Sequence, residues 1–207
     1  MKKGKRLRQG PYVASVIIAV LTGLGCYMGS GENQEHRHDA RALHNFNERV
    51  EAYVRVHHKA EDTFHLPHLK PTGSIRKIQQ RQRAMARHIG ELRRNAREGD
   101  IFTPEVKAYF ERALAAAYGA NSEGILANLV CISEEDRKLQ PNDVYPATWE
   151  YNPMPPTILL HLPRLPEEVE YRIVNKDLIL LDVEADMVVD ILRNSIALPA
   201  GRGSCDD

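Results

Sequence analysis

Apolar residues recur at a helical period through the first third of the chain. Leu43, Phe46, Val50, Tyr53, His57, Ala60 and Phe64 follow one another at spacings of 3 and 4. That rhythm lays one mainly apolar seam along a helix. Leu66-Pro67-His68-Leu69-Lys70-Pro71-Thr72-Gly73 interrupts it, because two prolines and a glycine cannot continue a helix. A second seam, Ile75, Ile78, Gln82, Met85, Ile89, Leu92 and Ala96, repeats the rhythm and predicts a helix over 74–97. Two seams of equal length, separated by a short break, predict an antiparallel helical hairpin packed like a coiled coil. Glu98-Gly99-Asp100 ends the second helix, and Thr103-Pro104-Glu105 opens a third. Thr103 suits the N-cap, Pro104 the first helical position, and the acid the positive end of the dipole. Val106, Tyr109, Phe110, Ala113, Leu114 and Ala117 make its apolar face, and Gly119 fits a C-terminal cap. A short fourth helix is predicted over 123–132.

Beyond about residue 140 the period changes. Pro141, Pro146, Pro153, Pro155, Pro156, Pro163 and Pro166 punctuate runs at 157–162, 169–174, 178–183 and 187–191 that read as strands. Apolar and charged residues alternate around Tyr171 and Ile173, and Asn175-Lys176 makes a two-residue turn, so the last three runs form an antiparallel meander. Trp149 and Tyr151 stand among the prolines, either lining a cleft or packing beneath them. The chain therefore reads as α+β. A signal peptide or membrane anchor (1–31) leads through a flexible tether (32–40) to a helical domain (41–135). A proline-rich and β-hairpin module (140–193) and a disordered tail (194–207) complete it.

The address comes from the first 31 residues. Lys2, Lys3, Lys5, Arg6 and Arg8 precede an uncharged stretch, 9–31, whose apolar heart is 12–24. A basic leader before an apolar segment of this size is the pattern of a secretory signal. The cations stay in the cytoplasm while the charge-free segment enters the bilayer. This predicts an exported protein of a bacterial-type cell, its bulk periplasmic, membrane-anchored or secreted. Three fates are open. Gly23 and Gly25 suit cleavage before Cys26; Cys26 itself suits lipidation, although Gly23 stands where an aliphatic residue is usual; or the segment stays uncut as an anchor. Cys131 and Cys205 would then remain, able to pair in an oxidising compartment, although Cys131 in its apolar run also suits a buried core position.

Charge and chemistry refine this picture. Hydrophobic content of 43% and charged content of 27% belong to a globular chain. The net charge is zero, yet 101–207 carries 9 basic against 18 acidic residues and 32–100 carries 14 against 10. The second helix is strongly basic, with Arg76, Arg83, Arg87 and Arg94 as candidate contacts for an anionic surface. Outside the cytoplasm such a helix would meet lipid, envelope polymer or an envelope protein. Too few aromatics accompany it for nucleic acid to be expected. A solvated face pairing with the acidic half, through residues such as Glu134-Glu135-Asp136 or Glu167-Glu168, is the alternative. Eight of nine histidines lie between His36 and His88. On a helix His58, Asp62 and His65 share a face at i, i+4 and i+7, either as a ligand set for a divalent transition metal or as a solvated helix face with His57 tolerated in the seam. No nucleophile elbow, phosphate-binding glycine loop or His-Glu-x-x-His motif occurs, so no catalytic residue is assigned. The sequence favours a non-enzymatic envelope binding protein, with a periplasmic metal-binding protein as the alternative.

Several blocks carry a resemblance. Gly99-Asp100-Ile101-Phe102-Thr103-Pro104-Glu105-Val106, Asn142-Asp143-Val144-Tyr145-Pro146, 155–163 and 165–174 resemble, in the same order, blocks of a family of uncharacterised exported bacterial proteins. The resemblance spans 46–192 and implies a shared fold, with no activity to carry over. The stretch from Tyr171 to Asp190 also resembles the small hairpin of periplasmic nickel/cobalt-homeostasis proteins.

Overall fold

The computed structural model describes residues 29–63, 74–126, 139–146, 149, 154–174 and 176–196, with the backbone alone for 29–32 and 118–126. Among the described residues it is a mixed structure of four helices and one three-stranded antiparallel sheet. The helices are α1 (Gly29–Thr63), α2 (Ile75–Leu92), α3 (Pro104–Leu126) and the single turn α4 (Pro156–Leu159). The strands are β1 (Val169–Val174), β2 (Asp177–Asp182) and β3 (Met187–Leu192), in the order β1-β2-β3. The chain falls into two units, Met1–Ala40 and Arg41–Asp207. In the first, 29–40 is helical, so residues 32–40, expected as a flexible tether, belong to α1.

In the second unit the seam of α1 is buried at Phe46, Val50, Tyr53, His57 and Ala60. It meets Met85 and Ile89 of α2, Val106, Phe110 and Leu114 of α3, and one face of the sheet in a single core. Phe46, Phe102 and Phe110 form its aromatic centre, with ring centroids 4.8–6.1 Å apart. Period-2 alternation sends Leu178 and Leu180 of β2 into this core and Ile179 and Leu181 to the opposite face. That second face is not solvated. Tyr145 and Trp149 cover it, ring against ring at 5.2 Å, beside Val174, Val188 and Ile191. Trp149 is thus a packing residue; Tyr151 lies outside the described residues. The segment around 142–145 also follows the outer edge of β3, with Asn142 N–H donating to Val188, Val188 N–H to Asp143, and Tyr145 N–H to Asp186. An open edge is thereby closed, and β2 is buried over its whole length.

The three strands lie where the sequence predicts the meander, β2 starting one residue before the run 178–183, with Val174 opposite Asp177 and a register shift between Leu180 and Leu181 in the β2–β3 pairing. Other expectations are corrected. The run 157–162, read as a strand, contains the helical turn α4. Pro155 and Pro156 set the backbone for a helix start there, and a short apolar run does not itself choose between helix and strand. Helix α2 stops at Leu92, before Arg97. Its C-cap Arg93 turns inward, donating to the Val189 carbonyl at 3.1 Å and lying 4.8 Å over the Tyr53 ring, while Asn142 Nδ2 donates back to the Arg93 carbonyl at 2.8 Å. The α2 seam is buried only at its middle. Ile75 is 70% exposed, Ile78 and Leu92 each 37%, and Arg81 is buried instead. Helix α3 runs through Gly119, the expected cap, to Leu126. It absorbs the start of the predicted fourth helix, whose remainder lies outside the described residues. Ser195 and Ile196, within the tail expected to be disordered, are buried.

Candidate functional site

A histidine in the core face of a helix and an aspartate in the core face of a strand need each other. His57 stands one turn after Tyr53 in the α1 seam, and Asp182 closes β2 on the same face as Leu178 and Leu180. Asp182 has no exposed surface. Its Oδ2 accepts the Tyr53 hydroxyl at 2.6 Å and His57 Nδ1–H at 2.6 Å. Its Oδ1 accepts the backbone N–H groups of Glu184, at 3.0 Å, and Ala185, at 2.7 Å. Four donors thus satisfy a carboxylate removed from water.

The network continues outward. His57 Nε2 faces Glu184 Oε2 at 3.3 Å. Burial works against charge on His57, but the hydrogen bonds to Asp182 and then Glu184 outweigh it and raise its pKa to about 10. Both ring nitrogens therefore carry protons at neutral pH, and the ring holds no lone pair for general-base chemistry. The hydrogen bond with His57 dominates the shift of Glu184; with the help of Arg81 it outweighs burial and lowers the pKa to about 2. Buried Arg81 of α2 clamps Oε1 of Glu184 and, at 2.5 Å, Oε1 of Glu61. Glu61 Oε2 faces His58 Nδ1 at 3.5 Å, and His58 Nε2 meets Glu168 Oε1 at 3.0 Å. His57, His58, Glu61, Glu168 and Glu184 border an open cleft of about 320 Å³, completed by Glu167 and Val183.

Of the metal ligands expected from sequence, His58 stands at this cleft. Asp62 is exposed on α1, and His65 lies outside the described residues, as does Cys26, the lipidation candidate. Among the described residues, the ligand atoms that gather lie on His57, His58 and Glu61, mutually within 4.8 Å. In the sequence Arg81 stands among the basic residues of the second helix, and Asp182 with Glu184 reads as a pair of acids at solvent-facing strand positions rather than as a hydrolase pair; the structure instead buries Arg81 and Asp182. The signal was present: Asp182 ends the apolar run Leu178-Ile179-Leu180-Leu181 at a core-facing register, and His57 occupies an apolar seam.

The basic face of α2 is a separate feature. Arg76, Arg83, Arg87 and Arg94 are all exposed. At 100° per residue the first three lie within about 40° of one another, opposite Met85 and Ile89. Among the described residues none of these three forms an ion pair, and Arg94 donates only to the Glu91 carbonyl, at 3.2 Å. The acidic half meets α2 through Arg81, while Glu168 pairs with His58; Glu134, Glu135 and Asp136 lie outside the described residues.

A second buried aspartate organises the loop between α2 and α3. Asp190 accepts N–H groups from Gly99, Ile101, Phe102 and Ile191 at 2.7–2.9 Å. Gly99 makes this possible by adopting φ +87. Among the described residues no helix is long and apolar enough to cross a membrane. Compared with protein-family models, with curated proteins and with solved structures, the chain matches none of them.

Proposed function

We propose that the chain is an exported, non-enzymatic envelope protein that binds an anionic surface, lipid or polymer, through α2. The observation that carries this reading is the exposed stripe Arg76, Arg83 and Arg87, continued by Arg94, on the side of α2 turned away from the core. Guanidinium groups left to solvent along one helix face suit a polyanion, which binds several cations at once and gains from release of its own counterions. The cationic leader and the uncharged stretch after it support a location outside the cytoplasm, and the likeness to exported bacterial proteins agrees with that address. On this reading α1 and α2 form the antiparallel hairpin that presents the stripe. Two contacts support it: Glu61 meets Arg81, whereas the earlier Tyr53 meets the later Arg93.

The test is co-sedimentation of the chain with vesicles containing anionic lipid, and with purely zwitterionic vesicles as control. Binding to the anionic vesicles is expected to weaken steeply with salt and to be lost when Arg76, Arg83, Arg87 and Arg94 are all changed to Gln. Binding that ignores both salt and the four substitutions would refute the role of this face. Indifference to anionic vesicles and to soluble anionic polymer alike would leave an envelope protein as the partner.

A further inference from the structure

At the cleft beside α1, among the described residues, His57, His58 and Glu61 bring ligand atoms within 4.8 Å of one another, and Glu184 Oε2 stands 3.3 Å from His57 Nε2. His57 presents Nε2 while Asp182 holds its Nδ1 at 2.6 Å. Glu184 and Glu61 each present Oε2 while Arg81 holds both Oε1 atoms. His58 presents Nδ1 while Glu168 holds its Nε2 at 3.0 Å. A ring nitrogen anchored by a carboxylate, with the other nitrogen turned to the metal, is the usual support of a ligating histidine, although in the metal-free protein Nε2 of His57 carries a proton toward Glu184 that the metal must displace.

We propose that His57 Nε2, His58 Nδ1 and Glu61 Oε2 bind one divalent transition-metal ion of the zinc type, with Glu184 Oε2, which lies beside His57 Nε2, drawn in as the fourth ligand on binding. The spacings suit it. Bonds of about 2.0–2.1 Å in a tetrahedron put ligand atoms about 3.3 Å apart. His57 Nε2 lies 3.3 Å from Glu184 Oε2, and His58 Nδ1 lies 3.5 Å from Glu61 Oε2. His57, His58 and Glu61 already hold ligand atoms within 4.8 Å of one another. Charge suits it too. The carboxylates of Asp182, Glu184, Glu61, Glu167 and Glu168 outnumber the cations His57 and Arg81 in and around the open cleft. Mixed imidazole and carboxylate donors favour zinc and its neighbours over calcium or magnesium, which prefer oxygen alone. On binding, the Nε2 proton of His57 leaves to solvent and the metal takes its place between His57 and Glu184. The site is independent of the basic face of α2, whose arginines lie on the other side of that helix.

The test titrates zinc(II), and separately cobalt(II), into the metal-free chain. One equivalent is expected to bind and to raise the Tm, and cobalt is expected to give the intense visible bands of a four-coordinate ion. His58→Ala and Glu61→Gln should each abolish the Tm shift; both residues lie at the cleft rim, so these variants should still fold. Glu168→Gln, which touches only the outer nitrogen of His58, should weaken zinc about 10–100-fold. Asp62→Ala should change nothing. The proposal is overturned if no stoichiometric binding occurs, if the shift survives His58→Ala, or if it is lost with Asp62→Ala or His65→Ala yet kept with Glu61→Gln.

Discussion

Asp182 and Asp190 are both wholly buried, both on the sheet, and neutralised in different ways. Asp190 is met by backbone N–H groups alone, from a loop that folds around it. Burial raises its pKa, and those N–H groups offset the effect only in part. Asp182 is met by two side chains of α1 and by two backbone N–H groups of the turn after β2. The first arrangement fixes one loop against the sheet and leads nowhere else. The second is the inner end of a chain of charges that reaches solvent through His57, Glu184 and Arg81. A carboxylate satisfied by backbone serves the fold; one satisfied by a histidine at a cleft wall can serve a site as well.

The two should differ on truncation. Asp182→Ala leaves the Nδ1–H of an imidazolium, a phenol and two backbone N–H groups buried without their acceptor, and should cost about 3–5 kcal/mol. Asp190→Ala breaks no direct ion pair but orphans four N–H groups and removes a carboxylate near the Arg93 guanidinium, and should cost about 3 kcal/mol. Denaturant unfolding of the two variants would measure the gap. Equal losses, or a larger one at Asp190, would mean that the imidazolium is less tightly bound to Asp182 than the geometry implies.

Titration separates the regions further. In metal-free protein His57 contributes stability that is fully present below its unfolded pKa of about 6.5 and is lost as pH rises toward about 10. Glu184 works in the opposite sense: its contribution is present above its unfolded pKa of about 4.5 and is lost as pH falls toward about 2. The pair therefore predicts a stability plateau near pH 4.5–6.5 with a decline on the alkaline side. His57→Phe should remove that alkaline decline. If the decline remains in His57→Phe, another group causes it.

The contrast also explains what could be read in the sequence. The α1 seam and the β-meander were legible because their periods of 3.6 and 2 are local properties. Leu178 to Leu181 alternate between two cores as a strand must, although burial on both sides came from Tyr145 and Trp149, whose proline-rich setting carries no such period. The end of α2 was not legible, because it depends on Asn142, 49 residues away. The site was half legible. Local spacing could propose His58 with Asp62 on one helix face, but the actual companions of α1 are Arg81, Asp182 and Glu184. Nothing local joins residues 125 positions apart, as His57 and Asp182 are. Polar residues at core-facing positions on two different elements were the trace of it.

The smallest effect sharpens the comparison most. Tyr53→Phe removes one of the four donors to Asp182 and keeps the ring, with the same volume and the same face under Arg93. Its hydroxyl stays protonated, since burial and then the neighbouring Asp182 carboxylate raise its pKa well above the usual value. The loss should be about 1 kcal/mol, that of one hydrogen bond whose acceptor keeps other partners. The more informative reading is His57. With the phenol gone, Asp182 Oδ2 has only the imidazolium to accept from. The His57–Asp182 pair should then strengthen, and the alkaline limb of the stability profile should move to higher pH. An unmoved limb would show that Tyr53 and His57 bind Asp182 independently. A limb moved to lower pH would show that the phenol positions the carboxylate for the histidine.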